Sequence, residues 1–246
     1  MIISYSKKFI FLKTGKTGGT SLEMYLSQFC DKFDLITPIL GNEEKLKKKY
    51  RLPSKQNFKL KKFSLGLRTL SKFSIYRERT IYDHSDISRV LKTSVKSRVK
   101  DYYVFAFIRN PYDWIVSDFW WNLFYHKRKG VNFINSLNRQ QISKKFKKFL
   151  KNECEDFFRS NENIITSDKI KINVYKYGNF EKSIRIIKKK LNLKKEIISI
   201  NEIKLKKLGI RRKIKIDRDD KEFILKSASY FFNSFKYSKK LPDKYK

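Results

Sequence analysis

Short blocks of consecutive apolar residues along this chain are separated by stretches in which apolar residues recur at helical spacing. Residues 7–12, KKFIFL, read as a strand ending at a glycine-rich turn. Over residues 20–29, Leu22, Tyr25, Leu26 and Phe29 mark one face of a helix. Thr20 and Glu23 have the spacing of a capping box, which predicts Thr20 as its N-cap. Residues 102–108, YYVFAFI, form an unbroken apolar run, the pattern of a strand covered on both faces of a parallel sheet. Asn110 and Pro111 then suit the N-cap and first position of a helix whose core stripe is Val116, Trp120, Leu123 and Phe124. Ser85 or Asp86 is placed to cap a helix through Val90 and Leu91. Further helices are expected over 142–150, 179–191 and 219–235, with a strand over 170–175. This alternation predicts an α/β fold, a parallel sheet flanked by helices.

At 246 residues the chain suits a single domain, 1–246, with a basic and partly flexible excursion around 41–75. Two cysteines, Cys30 and Cys154, and two histidines give neither a disulfide framework nor metal-ligand spacing, so no metal is expected. No apolar run approaches the roughly 20 residues of a membrane span, and no signal pattern opens the chain, so the expected location is the cytoplasm. The formal net charge is +35. It reads either as a surface for polyanions or as lysine accumulated on any solvated surface. Residues 45–62 and 204–215 carry no acid.

Two motifs carry candidate chemistry. In Lys13-Thr14-Gly15-Lys16-Thr17-Gly18-Gly19-Thr20-Ser21, glycines let the backbone N–H groups turn inward at a helix N-terminus. Lys16 adds a cation and Thr17, Thr20 and Ser21 add hydroxyls, together a cradle for a phosphate or phosphosulfate. The plain alternative is a tight turn that binds nothing. A kinase-type phosphate loop would need a glycine where Ile10 stands. In Arg109-Asn110-Pro111-Tyr112-Asp113-Trp114-Ile115-Val116-Ser117, Ser117 lies seven residues after the cap Asn110, about 20° off the same helix face, with the Arg at the strand end before it. They are placed to grip one phosphate from two sides.

Together the motifs, GKTGGTS and FIRNPYDWIVS, resemble the PAPS-dependent sulfotransferase family, in particular its carbohydrate sulfotransferase branch, where the signatures read PKTGGTS and close to FVRNPYDRLVS. The resemblance implies a sulfotransferase-type, P-loop-like fold and PAPS (3′-phosphoadenosine 5′-phosphosulfate) as donor. It implies that Lys16, Gly18, Gly19, Thr20 and Ser21, with Thr17 beside them, hold the 5′-phosphosulfate and that Arg109 and Ser117 hold the 3′-phosphate. A base is needed to deprotonate the acceptor, and His84 matches the place of a His between the two signatures. Lys16 and His84 are thus the expected catalytic pair. The expected acceptor is a hydroxyl of a glycan, an anionic one if the lysine tracts border the cleft. Gly15 replaces the usual Pro, Trp114 a usually basic residue, and Gly178 a common Glu. His126 reads as a cation at a helix end, and Trp114 and Trp121 as core or as a stacking platform. A P-loop kinase, a nucleic-acid-binding basic protein and a non-catalytic relative remain the alternatives, nucleic acid being the weakest for want of a binding motif.

Overall fold

Alternate residues of a strand point to opposite faces, and here both faces are apolar, so the sheet needs cover on both sides. The computed structural model describes residues 1–39, 41–61, 78–93, 96–194, 196–203 and 209–246. In chain order these hold β1 (Ile2–Ser4), β2 (Phe9–Leu12), α1 (Gly19–Ser27), β3 (Leu35–Ile36), α2 (Gly41–Lys49), β4 (Lys59–Lys61), β5 (Glu78–Thr80) and α3 (Ile87–Leu91). Then come β6 (Tyr103–Ile108), α4 (Pro111–Trp121), α5 (Val131–Ser136), α6 (Arg139–Ile165), β7 (Ile172–Lys176), α7 (Phe180–Lys190), α8 (Arg218–Ser227) and α9 (Ser229–Ser234). A π-helical segment, Asn122–His126, continues α4.

The main sheet runs β3-β1-β2-β6-β7. Strands β2, β6 and β7 are parallel, with Phe9 opposite Tyr103 and Val104 opposite Ile172. This is the parallel core expected from the apolar runs. Strand β1 is antiparallel to both neighbours and makes the sheet mixed. Three residues, Ile2-Ile3-Ser4, are too few to show a period, so the sequence pattern missed it. Asp34 pins the β1–β2 turn, accepting from the Tyr5 N–H at 2.6 Å and the Ser4 hydroxyl at 2.8 Å.

On one face Ile3, Ile10, Leu12, Val104, Ala106 and Ile108 pack with Trp114, Phe119, Phe146, Phe158 and Phe231 from α4, α6 and α9. On the other, Ile2, Phe9, Phe11, Phe105 and Phe107 meet Leu22 and Leu26 of α1 and Ile184 and Ile187 of α7. The helix expected over 142–150 lies within the first half of the 27-residue α6, which starts at a reciprocal capping box between Asn138 and Gln141. The last expected helix is two, parted at Ala228. Part of the expected excursion is regular: α2 covers Gly41–Lys49, and β4 pairs antiparallel with β5. Its residues 62–75 lie outside the described residues. No helix among the described residues is long and apolar enough to cross a membrane.

Candidate active site

The chain leaves β2 at Leu12 and enters α1 at Gly19, and the loop between them curls because Lys16 (φ 54°) and Gly18 (φ 71°) are left-handed. Gly18 is the N-cap of α1, and no side chain caps the helix. The capping box expected of Thr20 and Glu23 therefore does not form. Thr20 is the second residue of α1, and Glu23 is fully buried, bonding the Met1 amino group at 3.0 Å and Lys13 Nζ at 3.1 Å. A fully buried carboxylate left without its partners would be strongly destabilising, so Glu23 stays with Lys13 and the Met1 amine and does not reach back to the helix start. Burial alone would raise the Glu23 pKa, but Met1, Lys13 and Lys47 hold it low. A side chain at Gly19 would collide with Lys13, whose Cγ would lie 2.7 Å from the new Cβ. Glycine there lets the Lys13 side chain pass over the loop to Glu23.

Gly15 stands where the motif usually has Pro, and its N–H is in use. It donates to Asn161 Oδ1 at 2.8 Å, and its carbonyl accepts from the Trp114 indole N–H. A proline has no N–H to give. Trp114 is fully buried against Phe157, Phe158 and Phe231. Its role is to underpin the loop, which removes it as a stacking platform. Gly15 thus anchors the loop to α4 and α6.

A cleft of about 850 Å³ opens over this loop. Its lining includes Lys16, Gly18, Gly19, Thr20 and Ser21 from the first motif, Arg109 and Ser117 from the second, and His84. Thr17 differs from the other loop residues: it is buried, its hydroxyl lies 2.9 Å from that of Thr14, and it does not line the cleft. Arg109 follows β6, with its guanidinium 5.3 Å from the centre of the Tyr177 ring. Lys16 Nζ lies 4.0 Å from the centre of the Trp121 ring.

Two lone signatures would be a coincidence of pattern; here a parallel sheet brings them to one mouth, and a model of the sulfotransferase family matches residues 1–238. The chain belongs to that family. No curated protein and no solved structure matches it. The family's donor is PAPS, and the residues of this sulfotransferase fit such a donor: the loop is curled at a helix N-terminus, its glycines let Lys13 and Tyr177 pack close, and Lys16 and Arg109 line the cleft over it.

His84 stands beside the loop, half exposed. Its Nδ1 is 2.7 Å from the Lys13 carbonyl oxygen. A carbonyl only accepts, so Nδ1 carries the proton and the lone pair of the neutral ring sits on Nε2. Burial lowers the His84 pKa below its usual value; Asp83 and the Lys13 carbonyl oppose the shift, and the Lys13 ammonium adds to it. The shift favours the neutral ring, the form a base needs.

The sequence missed several residues of this sulfotransferase's cleft. Asp118, Tyr125, Glu153, Asp156 and Asn161 line it, as do Trp121 and His126, the latter read only as a helix-end cation. Trp121 and Tyr125 stack with ring centres 5.0 Å apart and planes 7° from parallel. Burial, opposed by Lys16 and reinforced by Glu153, pushes Asp118 up to about 6. The available signals were the polar Asp118 beside Ser117 and Asn161 on the buried stripe of α6.

Proposed function

We propose that this sulfotransferase moves the sulfuryl group of PAPS to a hydroxyl of a sugar ring in a carbohydrate or glycoconjugate. The observation that carries this reading is the convergence on one cleft of the donor loop, Arg109, Ser117, His84 and the Trp121–Tyr125 aromatic wall. Lys16, the loop backbone and the hydroxyls of Thr20 and Ser21 hold the 5′-phosphosulfate, while Arg109 and Ser117 hold the 3′-phosphate. Lys16 neutralises the charge that grows on the 5′-phosphate as its bond to sulfur breaks. Nε2 of His84 takes the acceptor's proton while the acceptor oxygen forms the new bond to sulfur, and adenosine 3′,5′-bisphosphate leaves. Lys16 Nζ already lies over Trp121, so of the stacked pair the exposed Tyr125 ring offers the flat apolar face to a sugar.

The charge of the cleft favours an uncharged ring over a polyanion. Asp118, Glu153, Asp156 and Glu43 line it, and neither lysine tract, 45–62 or 204–215, contributes a described residue. Two measurements test the reading. Adenosine 3′,5′-bisphosphate at a hundred times its Kd stabilises the protein by about 2.7 kcal/mol, and ATP far less. Labelled PAPS offered a neutral oligosaccharide, a small phenol and an acidic polysaccharide transfers its label chiefly to the neutral sugar. Equal stabilisation by ATP removes the donor assignment, and preference for the phenol or the polyanion removes the sugar.

A further inference from the structure

Lys13 opens the donor loop and borders the cleft, yet its side chain is nearly fully buried and its ammonium is held by carboxylates. Nζ lies 3.1 Å from Glu23 Oε2 and 3.4 Å from Asp83 Oδ2. The same Asp83 oxygen lies 3.4 Å from His84 Nε2, and the Lys13 carbonyl holds His84 Nδ1. One residue thus meets the imidazole from both sides, through its backbone directly and through its side chain by way of Asp83. Glu23, fully buried, fixes the ammonium in place.

We propose that Lys13 is a positioning residue for the base: its carbonyl fixes the proton on Nδ1, and its ammonium shares Asp83, keeping the Nε2 lone pair available to the acceptor. The assignment rests on the reading of His84 as the base. An unshared carboxylate would bind a protonated Nε2 tightly and hold the ring as imidazolium, with no lone pair to offer. A carboxylate shared with an ammonium is weaker. It leaves the resting ring neutral and still stabilises the imidazolium formed when the acceptor's proton arrives. The titratable groups that face His84 are Asp83 from its own loop, Lys13 just after β2 and the Met1 amino group just before β1, whose own pKa burial pushes down to about 5. Glu23 from α1 and Asp83 act in turn on Lys13.

The test reads His84 directly. The chain has two histidines, so imidazole NMR resolves His84 once His126→Gln assigns the other signal. In the wild type the neutral ring carries its proton on Nδ1. Lys13→Met raises the His84 pKa, because it removes a like charge and releases Asp83. In turnover, its kcat below pH 7 falls by about tenfold or more and recovers as the pH rises, while affinity for adenosine 3′,5′-bisphosphate holds. A purely structural loss gives no recovery with pH. An unmoved His84 titration in Lys13→Met overturns the proposal. If the buried Glu23 prevents that variant from folding, Asp83→Asn on the partly exposed loop serves instead: the His84 pKa then falls, and a rise or no change overturns the proposal. The titration needs no turnover. Full transfer by His84→Ala therefore sinks the base reading and leaves the titration result standing.

Discussion

At the scale of single residues, the two departures from the family signatures explain each other. Gly15 and Trp114 are far apart in sequence and joined by a hydrogen bond, and Asn161 holds the other side of the same peptide. Restoring the family residue with Gly15→Pro removes the donor to Asn161 Oδ1, on a side chain only 4% exposed. The expected cost is about 1–3 kcal/mol in chemical denaturation. Gly15→Ala keeps the N–H and places its Cβ 3.5 Å from Phe157, an ordinary contact, so it is close to neutral. Equal stability of the two variants excludes this account. Lys16, Arg109 and Ser117 were legible because each lies in a contiguous motif. Asn161 and Asp118 were not, because their meaning depends on which helix packs beside which. Lys13 was visible in the motif, but its role comes from Glu23 and Asp83, which the fold brings to it.

Among the elements, β2 and β6 were readable because strands buried on both faces write unbroken apolar runs. Strand β1 was too short, and α6 was underestimated because its second half interleaves core residues with acids that face the cleft. The helix α1 was placed well but its start was misread: a local capping pattern lost to a buried ion pair. Helix α4 carries Ser117 and Asp118 and passes into the π-helical segment that brings Tyr125 under Trp121; such segments often sit at functional sites. Burial in this setting pushes Asp118 up to about 6, above the usual carboxylate value. A raised folded pKa means that the folded state binds the proton more tightly than the unfolded chain, so stability falls as pH rises from about 4 to 6 and stays reduced above. Asp118→Asn accordingly raises Tm at pH 7, and the gain disappears near pH 4. A gain that is equal at both pH values rules out a titration origin.

For the whole molecule, the net charge of +35 is unevenly placed. Helix α6 shows the division within one element about 40 Å long. Its first half carries Arg139, Lys144, Lys145, Lys147, Lys148 and Lys151 and none of the lining of the cleft. Its second half gives the cleft Glu153, Asp156, Ser160 and Asn161. From Lys145 to Asp156 the helix rises about 16 Å, twice the about 8 Å over which a field is screened at physiological salt, whereas Lys151 stands only about 3 Å of rise from Glu153. The lysines toward the start of α6 therefore have little influence on what the cleft accepts. Retention on an anionic matrix is expected to weaken steeply as salt rises, while KM for a neutral sugar stays flat; a KM that tracks salt in step with retention refutes the separation. The divided helix also separates two tasks along one axis: the lysines toward its start are left to meet an anionic surface, while the acids toward its end stay with the cleft.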